Sequence, residues 1–163
     1  MPASRHSVSV AGVIVDDQNR ALVIQRRDNG HWEAPGGVLE LDEDIITGLQ
    51  REVFEETGLK VVPGALTGVY KNMVRGIVAL VFRCTIESGS LTLTDESKAF
   101  RWVTGQEVSD LADEAFAVRV LDALNGDQGV SIRQHDGVHV LASADEGTAR
   151  QAQQRGSGER PSE

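Results

Sequence analysis

The segment from Gly37 to Leu59, GVLELDEDIITGLQREVFEETGL, constrains this chain more than any other. Between Glu43 and Thr57 it carries no proline and only Gly48 as an internal glycine. Ile46, Leu49 and Val53 recur at i, i+3 and i+7, which predicts the apolar stripe of a helix. Gly58 follows the last turn, where a left-handed C-cap favours glycine. On such a helix Glu52, Glu55 and Glu56 fall within about 100° of one face. Like charges this close repel one another, and a fold gains nothing from that unless something positive fills the site. Hard divalent cations take oxygen ligands, and magnesium commonly bridges carboxylates to phosphates. Gly48, one turn before Glu52, is expected to leave room over those carboxylates. The plainer alternative is a solvated acidic face with an Arg51–Glu55 pair at i, i+4.

The flanks read mainly as strands. Ser7–Val15 and Ala21–Gln25 are β-branched runs around an Asp16–Asn19 turn, which predicts a hairpin. Val61–Val69, broken by Pro63-Gly64, reads as an edge strand. Gly76–Ile86 (GIVALVFRCTI) is the most apolar run and reads as a central strand, with Ser88–Ser90 as a turn. Lys98–Val103 predicts a short strand, and Glu114–Leu124 a second amphipathic helix. Val130–Leu141 alternates around Asp136-Gly137, a hairpin signal. From Ser143 onward apolar residues nearly vanish, and a tail of this kind cannot offset its ordering entropy. The predicted division is a folded domain over 1–142 and a disordered tail over 143–163. Strands around two helices predict a mixed α/β sandwich.

The acidic balance excludes one class of partner. Lys plus Arg is 16 and Asp plus Glu is 25, for a net charge of −9. Such a surface repels a nucleic-acid backbone, and no basic stripe offsets it. The Gly37–Leu59 segment holds seven acids against one base, so −6 of the −9 is local. A lone cysteine, Cys84, makes no internal disulfide and sits in the apolar run, which predicts a buried thiol. No run approaches the roughly 18 apolar residues of a membrane span, and Met1–Ser9 has no signal core. A cytoplasmic protein is expected. Trp32 and Trp102 read as packing residues, and His135 and His139 as surface residues. His31 reads either as a contact to base or phosphate or as a plain loop histidine. Arg26-Arg27 either meet phosphate or merely end a strand.

The central segment resembles the signature box of the Nudix hydrolases. That box is Gly, five residues, Glu, seven residues, then Arg-Glu-apolar-any-Glu-Glu-any-Gly-apolar. Gly37, Glu43, Arg51, Glu52, Val53, Glu55, Glu56, Gly58 and Leu59 fill all its places. Trp32–Gly37 (WEAPGG) resembles the family's lead-in loop. Glu96 before Phe100–Val103 resembles its later strand. Together the matching stretches run from about residue 7 to 124.

The resemblance implies an α/β/α sandwich with a mixed β-sheet and the box as loop–helix–loop. It also implies hydrolysis of a nucleoside diphosphate linked to another group, a nucleoside triphosphate or an ADP-ribose-type compound, with Mg2+ or Mn2+. Glu52, Glu55, Glu56 and the Gly37 carbonyl become the expected cation ligands. Arg51 and Glu43 become an orienting pair, and Glu52, then Glu96, the candidates for the general base. Arg26, Arg27, His31 and Gly36 are the expected substrate contacts. The expected partner is a small nucleotide or nucleoside diphosphate derivative, with no nucleic-acid polymer and no membrane. A homodimer is compatible with the chain. A catalytically silent nucleotide-binding or regulatory module is the alternative, and such modules often lose box residues that are all present here. Substrate choice is not legible: Val38 follows the double glycine where some triphosphate-cleaving members carry lysine. The stretch comparable to the ADP-ribose motif reads Val74-Arg75, without its proline.

Overall fold

Alternate residues of the first strand face two different cores, and this sets the architecture. The structure, a computed structural model, describes residues 3–126 and 128–143. Its elements begin with strands Ser7–Ile14 (β1), Ala21–Arg26 (β2), Trp32–Glu33 (β3) and Gly36–Val38 (β4). Helix Ile45–Thr57 (α1) follows, then strands Leu59–Asn72 (β5), Ile77–Gly89 (β6) and Ser97–Val103 (β7). Helices Gly105–Leu111 (α2) and Glu114–Leu124 (α3) precede the short strands Ser131–His135 (β8) and Val140–Leu141 (β9). Val10 and Ile14 of β1 pack with Leu49 and Val53 of α1. Ala11 and Val13 pack with Val108 of α2 and Ala117 and Val120 of α3. Leu22 and Val23 of β2 divide between the same two cores. A strand covered on both faces has no polar side to alternate, which is why these runs are continuously apolar.

The strands form a mixed six-stranded sheet, β4-β1-β6-β5-β8-β9, and a three-stranded sheet, β3-β2-β7. With α1 on one side and α2–α3 on the other, this is the expected α/β sandwich. The predicted central strand is central: β6 lies parallel to β1 and antiparallel to β5.

Several predicted elements take another form. Residues 7–25 do not make a hairpin. One isolated bridge, Val15–Ala21, joins β1 to β2, and the two strands then enter different sheets. The expected edge strand over 61–69 is the first part of a 14-residue strand: before Gly68 it pairs with β6 alone, as an edge does, and over Gly68–Asn72 it is paired on both sides. Pro63 is accommodated where the ladder shifts register. Ser88 and Gly89 end β6 instead of forming a separate turn. α2 was not expected, although Thr104 and Glu107 form a capping box that marks its start. His135 is 2% exposed, against the surface position expected for it: its Nδ1 accepts from the Gly137 N–H, and its ring lies under Phe116 and Arg119. The 136–137 hairpin is present, as β8 and β9. Cys84 is buried, and burial pushes its thiol up to about 12. Of the predicted disordered tail only Ser143 is described; residues 144–163 lie outside the described residues. Among the described residues no helix is long and apolar enough to cross a membrane.

Candidate active site

The site depends on how α1 is held. Asp44 caps its N-terminus by accepting from the Thr47 N–H at 2.8 Å. Gly58 closes its C-terminus at φ 77°, a left-handed conformation that favours glycine. Leu49 and Val53 are fully buried, each contributing roughly 1.5–3 kcal/mol. Ile46, expected on the same stripe, is 42% exposed, so the anchoring begins a turn later. With Leu49 and Val53 in the core, Glu52 and Glu56 turn into a cavity of about 410 Å³. β2, β3, β4 and the loop before β7 supply its remaining walls.

Glu96, from that loop, completes a cluster. One carboxylate oxygen each of Glu52, Glu56 and Glu96 lie within 4.8 Å of one another. Gly37 lines the same cavity, and a Cβ there would collide with the Glu52 carboxylate. Glycine at that place is therefore a condition of the cluster. Glu56 Oε2 is buried without a hydrogen-bond partner. Burial, reinforced by Glu33, Glu52 and Glu96, pushes the Glu56 carboxyl up to about 8, against the Gly36 N–H, which favours its charged form. Burial also raises Glu52, opposed by its bond from Arg51. Three carboxylates, one of which has a buried oxygen without a partner, fit Mg2+ or Mn2+.

Arg51 ties the box together. Its Nε donates to Glu43 Oε2 at 2.9 Å, and its Nη1 donates to Glu52 Oε1 at 2.9 Å and to Glu55 Oε2 at 3.2 Å. The Arg51 guanidinium holds the Glu43 carboxyl down at about 2. The helix-face pair Arg51–Glu55 and the orienting pair Arg51–Glu43 thus coexist on one guanidinium.

The other expected site residues divide. Arg26, Arg27 and Gly36 line the cavity with the glutamates. Glu55 does not: it is exposed, lies outside the cluster and pairs with Arg51. His31 is not among the cavity residues. Its exposed ring lies 3.7 Å from Asp113, because the turn before β3 directs it toward α3. The room expected over Gly48 is filled by Leu39 and Glu43, on the loop side of the helix. Glu33 and Asp28 were not singled out from sequence, yet both line the cavity. Arg26 joins them, donating from Nε and Nη2 to Asp28 at 2.9 and 2.7 Å and from Nη1 to Glu33 at 3.1 Å. A signal for Glu33 was its place in the WEAPGG loop, four residues before Gly37.

Comparison with known proteins bears on the family and the fold. The family model described as NUDIX domain matches residues 5–124. A MutT-like protein of Streptomyces ambofaciens is 57% identical over 136 residues, 83% of this chain and 88% of that protein. An ADP-ribose pyrophosphatase of Methanocaldococcus jannaschii is 34% identical over 99 residues, 56% of this chain and 58% of that protein. The crystal structure of a NUDIX hydrolase from Nitrosomonas europaea superposes with a TM-score of 0.69 at 22% identity, covering 82% of each chain. With its box complete and its fold shared, the chain belongs to the NUDIX family of pyrophosphohydrolases.

Proposed function

We propose that the chain hydrolyses a pyrophosphate bond in a nucleoside diphosphate linked to another moiety, in a reaction that depends on Mg2+ or Mn2+. The observation that carries this reading is the Glu52–Glu56–Glu96 cluster, with its partnerless buried oxygen, in a cavity shared with Arg26 and Arg27. Glu52 and Glu56 are the residues that hold the cation, with the Gly37 carbonyl as a further ligand. When bound, the cation neutralises the diphosphate and polarises phosphorus. Arg51, fixed by Glu43, locks the Glu52 carboxylate through Oε1. Glu96 is exposed, and its carboxylate carries no hydrogen bond among the described residues. We therefore assign Glu96, ahead of the arginine-bound Glu52, as the group that takes the proton of the attacking water. The water oxygen bonds to one phosphorus, the bridging P–O bond breaks, and the second phosphate leaves with the electron pair.

The test is a substrate panel with Mg2+, Mn2+ or EDTA: nucleoside triphosphates including oxidised ones, ADP-ribose, dinucleoside polyphosphates, NADH and nucleotide sugars. The relative named as an ADP-ribose pyrophosphatase puts ADP-ribose first in that panel. Turnover of at least one compound is expected, and none in EDTA. Equal rates in EDTA contradict the reading. Binding without turnover across the panel favours a silent regulatory module.

A further inference from the structure

We infer that Arg27 is a positioning residue that clasps the Glu96 loop to the end of β2 and so keeps Glu96 beside Glu52 and Glu56. The inference rests on the reading above, which gives Glu96 a place in the reaction. Glu96 needs such a clasp: its carboxylate has no hydrogen bond among the described residues, and it sits beside two other carboxylates. Repulsion alone drives an exposed loop acid outward, away from Glu52 and Glu56.

Arg27, the residue just after β2, brackets that loop. Its Nη2 donates to the Thr94 carbonyl at 3.1 Å and to the Ser97 carbonyl at 3.0 Å, the residues on either side of Asp95-Glu96. Its backbone N–H donates to the Glu96 carbonyl at 3.0 Å. Both Nη2 hydrogens are thereby engaged. The turn is closed from within, because Thr94 Oγ1 accepts from the Glu96 and Ser97 N–H groups at 3.2 and 3.3 Å. Arg26 and Arg27 therefore differ in kind. Arg26 is neutralised by Asp28 and Glu33, whereas Arg27 makes no ion pair among the described residues. Its side chain is given over to the carbonyls of the loop that carries Glu96. A planar guanidinium suits this work, since one nitrogen reaches two carbonyls in a fixed fork.

The full chain carrying Arg27→Ala, Arg27→Lys, Glu96→Gln or Arg27→Ala with Glu96→Gln tests the clasp, after a melting curve confirms folding. Two readouts are used. In metal-free protein, amide hydrogen exchange at residues 94–97 is expected to speed up in Arg27→Ala and less so in Arg27→Lys. In the metal-loaded enzyme, kcat is expected to fall about 10- to 100-fold in Arg27→Ala, with KM within about threefold. Arg27→Lys should recover part of the loss. The double variant should be within about twofold of Glu96→Gln alone, because the clasp acts through that residue. Raised KM with unchanged kcat makes Arg27 a phosphate contact and overturns the inference. Multiplicative losses in the double variant, or exchange rates in the loop that do not change, also overturn it. If Arg27→Ala does not fold, Arg27→Lys decides on the same two readouts. Failure of the proposed function is separate: wild type then shows no metal-dependent turnover, while the exchange experiment still reports on the clasp.

Discussion

Among the described residues, two regions that hold buried or half-buried charge are built in different ways. Under α3, Asp122 is surrounded by donors. The Tyr70 hydroxyl donates to it at 2.6 Å, and Arg133 donates from Nε and Nη2 at 2.8 Å each. Arg119, whose Nε lacks an acceptor, lies over the Phe116 and Tyr70 rings at 4.8 and 5.4 Å, and its Nη2 meets His135. Beside α1 the balance is acid: Glu52, Glu56 and Glu96 converge, Arg51 is shared among several carboxylates, and one Glu56 oxygen has no partner. Under α3 the acid is paired with Arg133, and the Arg119 cation rests on aromatic faces. Unbalanced charge opposes folding, and at the three glutamates the proposed cation would supply what the chain lacks.

Two substitutions on one helix give the largest expected contrast. Glu56→Gln should lower turnover by about 10²–10³-fold, since it removes a charge needed only when the cation and the diphosphate are bound. The same change should raise the melting temperature of the metal-free protein, because a neutral amide replaces a buried acid without a full set of partners. Glu55→Gln, on the exposed side, should lower turnover no more than about tenfold. Parallel kinetics and melting curves of the two variants check both statements. Equal losses would erase the distinction between the cavity face and the outer face of α1.

Asp122→Ala should show the reverse profile. It breaks a pair whose acid is 8% exposed and whose arginine is 37% exposed. A loss of about 2 kcal/mol is expected, below that of a fully buried pair because solvent screens Arg133. Specific activity of the folded protein should stay within about twofold. Chemical denaturation beside an activity assay reads both, and a large activity loss at intact stability would merge the two regions.

Acid sensitivity sharpens the same contrast. Arg51 holds Glu43 at about 2 in the folded protein, against an ordinary value of 4.5. A depressed carboxylate stabilises the fold above its unfolded value, and the contribution is lost as pH falls from about 4.5 toward 2. Melting curves over that range should fall more steeply for wild type than for Glu43→Gln.

Much of the fold was legible because single strands and helices carry their own patterns. The β6 run, the C-cap at Gly58 and the span of α3 all rest on local residue types. What failed depended on partners distant in the chain. The β1 and β2 runs are apolar on both faces, and that pattern says nothing about which sheet each joins. Pro63 did mark an edge, since β5 pairs with β6 alone there, but nothing local showed that β8 joins the same strand from Gly68 onward. At the site, the spacing put three glutamates on one side of α1. It could not show that Glu55 turns outward to Arg51 while Glu96 arrives from a loop 41 residues later in its place. His135 was read as surface because its burial depends on Phe116 and Arg119, residues of α3.

The smallest expected effect concerns residues 143–163. Truncation after Ala142 should leave kcat and KM unchanged, because the segment is polar and holds none of the glutamates of the Glu52–Glu56–Glu96 cluster. A lost activity would bring a third region into the account.

Direct titration of the metal-free protein with Mn2+, followed by calorimetry in wild type and Glu56→Gln, tests the central claim without any substrate. Wild type should bind Mn2+, and Glu56→Gln should bind at least about tenfold more weakly, as expected when a carboxylate ligand is removed. No binding to wild type, or equal affinity in the two proteins, would contradict the assignment of the buried glutamates to a divalent cation.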